Sequence, residues 1–309
     1  MKTLTFPLRG AGGEPVDLWR TFTSHGVAAL PPMNVDEINK TFEITLPVGK
    51  DQARTVLVES HGRSKAKMTI LGRAPAATAE HRLLEQVRHV LRMDEDLSGF
   101  YDKVTTDPEL SWASIGAGRM IQSPTAFEDV VKTICTTNCA WSATVRMVSA
   151  LVEHLGARAP GAPAQGPRGR AFPTPETMAG ADESFYKDVV RAGYRSAYLK
   201  ELATSVAEGA VDLESLARSS KEEVSDDEVE ERLLALPGVG PYAAAHTMMM
   251  FGRYSRLILD SWTRPKYAQL RKRKIVTDAT ITRRFKRYGD HAGLAFWLFL
   301  TRDWVEETV

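Results

Sequence analysis

The chain has 309 residues, 43% hydrophobic and 26% charged, which is the make-up of an ordinary globular protein with room for two or three packed units. Its longest apolar run, 294–300, is too short to cross a bilayer, and its first residues lack the apolar stretch of a secretory signal, so an intracellular protein with no membrane association is expected. Net charge is only +1, and the two cysteines, Cys135 and Cys139, are too few for a four-thiolate zinc or iron–sulfur site.

In chain order, residues 1–75 read as β-rich. Segments 2–8, 41–48, 54–60 and 67–72 alternate apolar with polar side chains or are rich in Thr, Val and Ile. One short helix is expected over 17–25, with Leu18, Trp19 and Phe22 apolar and Pro31-Pro32 closing it. Residues 76–309 read as helical, which makes the fold class α+β. The segment 80–93 places Leu83, Leu84, Val87, Val90 and Leu91 at helical spacing, and 127–136 does so with Val130, Val131, Ile134 and Cys135. Cys135 and Cys139, four apart, lie near one helix face as small buried residues. A further helix is expected over 142–154. The segment 156–170, rich in Ala, Gly, Pro and Arg, reads as a flexible surface loop, and Thr174 is the expected cap of the helix after it.

The most informative stretch is Leu236-Pro237-Gly238-Val239-Gly240-Pro241-Tyr242. Helical segments 228–235 and 242–253 flank it. Pro237 fixes one backbone angle, Gly238 and Gly240 are expected to supply positive φ, and Pro241 suits a first helical turn. The bare N–H groups at the start of the second helix, with its dipole, suit a phosphate. Beyond that helix, Leu257, Ile258 and Leu259 precede Asp260, which sets a carboxylate at the rim of a buried region. Helix N-capping for Ser261 onward is the alternative role for this aspartate. From 263 to 287 there are ten basic residues against one acid, whereas 222–231 holds seven acids and no base, so a basic face exists despite the near-zero total.

The hairpin Leu236–Gly240 with Asp260 in register resembles the helix-hairpin-helix (HhH-GPD) DNA glycosylase superfamily, the group of 3-methyladenine and 8-oxoguanine DNA glycosylases. The pattern Pro173-Thr174-Pro175 followed by Gly193-Tyr194-Arg195 extends the likeness from about Leu97 to about Trp304. The resemblance implies an N-terminal antiparallel β domain, then two helical subdomains with a lesion pocket between them. It implies that Asp260 stabilises positive charge on the sugar and assists water. Bifunctional members carry a lysine where this chain has Tyr242, so a monofunctional hydrolase of the 3-methyladenine DNA glycosylase II type, acting on alkylated bases in base excision repair, is expected. The likeness further assigns Tyr242, His246, Phe296, Trp297 and Leu300 to the base pocket and Asn138 to a wedge that fills the duplex when the base flips out. Trp141 is left open between intercalation and core.

The amides of Gly238, Gly240, Tyr242 and Ala243, with Thr247, Arg264 and Lys266, are expected to hold DNA phosphates. The carbonyls of Leu234, Leu236 and Val239 are expected to hold a monovalent cation, K+ or Na+, and no other cofactor is implied. The expected partner is double-stranded DNA containing a damaged base, bound by a monomer. A glycosylase for oxidised or deaminated bases, or a catalytically silent damage-binding protein, is the alternative.

Overall fold

The computed structural model describes residues 1–49 and 52–304; the last five positions of the expected helical region lie outside the described residues. Strands β1 (Lys2–Pro7), β2 (Met33–Asp36), β3 (Thr41–Gly49), β4 (Gln52–Ser60) and β5 (Lys65–Ile70) form one antiparallel sheet in the order β1-β5-β4-β3-β2. Its register places Phe42 opposite Val58, Ile44 opposite Val56 and Val58 opposite Met68, so alternate side chains share one buried face. Phe22 of α1 (Leu18–Phe22) stacks on Phe42 with ring centroids 5.2 Å apart. The same core takes in Leu83, Val87 and Val90 of α2 (Ala77–Val90), so the packing around the sheet continues past Pro75.

Two details depart from the sequence reading. β2 was not expected, because four residues with one fully buried side chain, Met33, carry too little periodicity to stand out. The helix expected over 17–25 is confined to Leu18–Phe22, started by Asp17, whose carboxylate accepts from the Arg20 N–H at 2.9 Å.

The helical part comprises α3 (Ser98–Val104), α4 (Ala126–Thr136), α5 (Trp141–Leu155), α6 (Pro175–Gly180), α7 (Arg195–Ala207), α8 (Leu213–Arg218), α9 (Asp226–Leu234), α10 (Pro241–Met250), α11 (Thr263–Leu270), α12 (Asp278–Phe285) and α13 (Ala292–Thr301). It has two apolar cores. One gathers α4 to α9; the other gathers α3 and α11 to α13. Helix α10 lies between them. Ala243, Ala244, Met248 and Met250 face the first core, and Ala245 and Met249 face the second. That explains its composition: a helix apolar all round is buried all round, alanines admit close neighbours, and methionines fill irregular gaps.

Segment 156–170, expected as a flexible surface loop, makes contacts to the sheet domain and within itself. Arg168 makes a two-pronged ion pair with Glu43 of β3 at 2.9 Å on both arms, the Gly166 N–H donates to the Glu153 carboxylate at 2.6 Å, and Ala159 and Ala171 pack with Ala53 of β4. Its arginines are therefore turned to protein acceptors. Cys135 is buried, which pushes its thiol up to about 12, and it is chemically quiet.

Candidate nucleic-acid interface and active site

The hairpin joins α9 to α10. Ser225 caps α9 by accepting from the Glu228 N–H at 3.2 Å, and the turn is closed by the Val239 N–H donating to the Leu236 carbonyl at 3.2 Å. Gly238 has φ 77°, and a Cβ there would lie 2.7 Å from the Tyr198 ring, so two separate constraints require glycine. Gly240 corrects the sequence expectation. Its φ is −102° and its ψ −177°, an extended cap that any residue adopts. What the missing side chain provides is space, since nothing lies within 4 Å of where its Cβ would be. Among the described residues, the N–H groups of Gly238, Gly240, Tyr242 and Ala243 make no hydrogen bond, and no side chain caps α10. They form an unsatisfied donor cluster at a helix N-terminus.

This hairpin lines a cleft of about 1310 Å³, together with Asp260, Tyr242, His246, Trp262, Trp297 and Trp304. Asp260 Oδ1 accepts from the N–H groups of Trp262 at 2.8 Å and Thr263 at 2.6 Å, and Thr263 Oγ1 accepts from the Asp260 N–H at 2.8 Å. The two residues cap the start of α11 reciprocally. The capping role and the cleft-lining position therefore coexist in one side chain: Oδ1 is spent on the backbone, while Oδ2 takes no hydrogen bond among the described residues.

The aromatic lining is extensive. Trp262, Trp297 and Trp304 pack against one another with centroids 5.7–5.8 Å apart. Trp297 Nε1 donates to the Ser24 carbonyl at 2.7 Å, which anchors this wall to the N-terminal unit. His246 lies between Trp297 and His25, with centroids at 6.4 and 5.8 Å, and its Nδ1 sits 3.4 Å from the Tyr242 hydroxyl. Burial lowers its pKa to about 4, so it is neutral at physiological pH. Tyr242 also reaches Thr136 Oγ1 at 3.3 Å, and burial raises its phenol further above its ordinary value.

Solved structures share this architecture over nearly the whole chain. A structure of MBOgg1 in complex with a low-affinity DNA ligand aligns with a TM-score of 0.72 at 19% identity, covering 98% of this chain and 96% of that one. Clostridium acetobutylicum 8-oxoguanine glycosylase/lyase in its apo form gives 0.72 at 18%, covering 97% and 96%. The 3-methyladenine DNA-glycosylase from Archaeoglobus fulgidus gives 0.71 at 17%, covering 98% and 100%. The chain has the fold of these DNA glycosylases. No family model and no curated protein matches its sequence. A glycosylase/lyase and a 3-methyladenine glycosylase fit about equally well, so the likeness speaks to the scaffold alone.

On that scaffold the expected residues divide. Asn138 lines the cleft, is exposed, and holds φ 45° in the left-handed region that asparagine tolerates better than most residues. Its turn is braced by Arg195, which donates to the Thr137 carbonyl and, at 3.2 Å, to Thr137 Oγ1. Trp141, left open between intercalation and core, is not core: it is 46% exposed, lines the cleft and lies across Gly26.

Phe296 and Leu300 are corrected to core. Both are fully buried, Phe296 against Phe285 and Tyr267, because α13 turns only its Trp297 face to the cleft. Thr247 is also buried, too far along α10 for its amide to be free. Arg264 does line the cleft, but both its prongs engage Asp278, at 2.7 and 2.9 Å. Lys266 is outside the cleft lining and pairs with Asp303 at 2.7 Å. Trp262, Trp304, Tyr194, Tyr198 and the N-terminal Gly26 and Val27 line the cleft without having been assigned a role there. The available signal was that most of the chain's six tryptophans fall near the assigned motifs.

Proposed function

We propose that this protein is a monofunctional DNA glycosylase that everts and removes alkylated purines of the 3-methyladenine type. The observation that carries the proposal is Asp260, fixed by the α11 backbone at the rim of an aromatic cleft, beside the bare amides of the hairpin. In this reading those amides grip a backbone phosphate, and the everted base enters between Tyr242, His246 and the tryptophan wall. The glycosidic bond breaks with its electron pair going to the base, so a cationic alkylated purine departs neutral. Water adds to the sugar carbon, and its proton passes towards the Asp260 carboxylate, whose charge stabilises the oxocarbenium-like transition state. A cationic ring over tryptophan gains roughly 0.5–2 kcal/mol, which favours alkylated over neutral bases. Asn138, carried on a braced turn at the cleft mouth, is assigned to the space the base vacates.

For the monovalent cation, the carbonyls of Leu234 and Val239 accept no hydrogen bond among the described residues, and that of Leu236 accepts one from the Val239 N–H. Three neutral oxygen donors suit K+ or Na+; such an ion would stiffen the turn and add positive charge beside the phosphate.

The test is release of free base from methylated duplex DNA. Wild type is expected to release it, and Asp260→Asn to lose about 100-fold or more. Equal background release from both removes the enzymatic reading. Tyr242 has no amine with which to form a Schiff base, so borohydride is expected to trap no covalent complex. The likeness to an 8-oxoguanine glycosylase/lyase supports a second reading, an oxidised-base glycosylase, which preferential release from an 8-oxoguanine duplex would favour.

A further inference from the structure

We propose a second phosphate-binding site, separate from the hairpin, at the far end of α11. A concavity of about 260 Å³ between α11 and α12 is lined by Tyr267, Arg271, Arg273, Thr280, Arg283 and Arg284. Four arginines line it and no carboxylate does; beside it Glu109 binds Arg271 Nη1 at 3.0 Å and also binds Arg284. Those two arginines are preset. Arg284 also lies over the rings of Phe285 and Phe299, at 5.8 and 5.5 Å, and its Nε is buried without an acceptor. Arg273 and Arg283 have no ion pair among the described residues and are exposed at the rim. An excess of about three positive charges in one hollow is unfavourable by itself and is relieved by an oxyanion, for which planar guanidinium donors are shaped.

The hollow lies within reach of DNA flanking a nucleotide held at Asp260. Helix α11 starts at the Asp260 cap and ends just before Arg271. Eight residues at 1.5 Å each span about 12 Å. At a rise of 3.4 Å per nucleotide along a duplex axis, that is at most about three to four nucleotides from the nucleotide at Asp260. Lys272, Lys274 and Lys286, also without ion pairs among the described residues, extend the basic surface around it. That the phosphate belongs to flanking DNA rests on the glycosylase reading; the oxyanion chemistry itself does not.

The experiment compares wild type with the R273A/R283A double variant. Both side chains are exposed and remote from Asp260, so folding and the rate of base release at saturating enzyme are expected to be unchanged. On a lesion-free duplex the slope of log affinity against log salt is expected to become shallower by about one to two, one unit per phosphate contact. With the lesion about two nucleotides from one end, the difference between the proteins should vanish for one end and persist for the other. A second arm measures the shift in melting temperature with pyrophosphate. A larger shift for wild type than for the variant, with equal DNA slopes, assigns the hollow to a free phosphate compound. Equal slopes together with equal pyrophosphate shifts overturn the site. If neither protein releases base but the slopes differ, the phosphate site stands and the glycosylase reading falls.

Discussion

The carboxylate of Asp260 ends a loop and starts a helix while bordering the cleft, and this shapes how it should be tested. Asp260→Ala removes the cap as well as the charge and is expected to cost about 1 kcal/mol of stability, so its loss of activity would be ambiguous. Asp260→Asn keeps an oxygen for the Trp262 and Thr263 amides. Its thermal midpoint should stay near that of wild type while base release collapses, and calorimetry beside the release assay checks both. His246 invites a different measurement. Burial lowers its pKa to about 4, and that of His25 to about 3. The unfolded chain therefore binds protons below pH 6.5 that the folded chain refuses, and stability falls as pH drops from 6.5 towards 4. Each histidine contributes on the order of 1–3 kcal/mol to this fall. The effect must be read by difference against His246→Gln, because Asp129, pushed up to about 7 by its burial, acts in the opposite sense over the same range. Urea unfolding at pH 7 and pH 5 should show a smaller drop for the variant; equal drops would place the histidine charge elsewhere.

At the level of elements, the two hairpin glycines separate folding from binding. Gly238→Ala meets both a left-handed backbone and the Tyr198 ring, and is expected to destabilise by about 1–3 kcal/mol. Gly240→Ala meets neither, so the protein should melt as wild type does while DNA affinity drops, its methyl standing where a phosphate approaches. Melting curves and a DNA titration on the pair decide this; equal affinity for Gly240→Ala and wild type would remove the hairpin from the interface. The hairpin and its aspartate were legible in sequence because turn chemistry is local and their spacing is rigidly coupled through α10. The same locality explains the misses. Nothing in Gly240 announces its backbone angles, and a helix as apolar as α13 does not reveal which residue faces a cavity, so Phe296 and Leu300 were grouped with Trp297. Likewise the composition of 156–170 gives no hint of Glu43, more than a hundred residues away.

Across the whole molecule, the charge asymmetry seen in sequence survives in altered form. Of the ten basic residues at 263–287, Arg264, Lys266, Arg271, Arg284 and Arg287 are held in ion pairs, and the remaining five concentrate around the end of α11 and α12. Counting charges along the chain thus included five that protein carboxylates already hold. The acids of α9 are similarly occupied, with Arg253 and Arg256 bonding Asp226, Asp227 and Glu230. The sheet unit is part of the working surface too, since His25 to Val27 and the Ser24 carbonyl help build the cleft.

The crowding of indoles into that cleft also gives the protein a native optical signal. Trp141, Trp262, Trp297 and Trp304 all border it, which leaves just Trp19 and Trp112 of the chain's six to emit from elsewhere. A nucleobase stacking among them should quench most of the ultraviolet emission without any dye or label, so occupancy can be followed in real time on unmodified material.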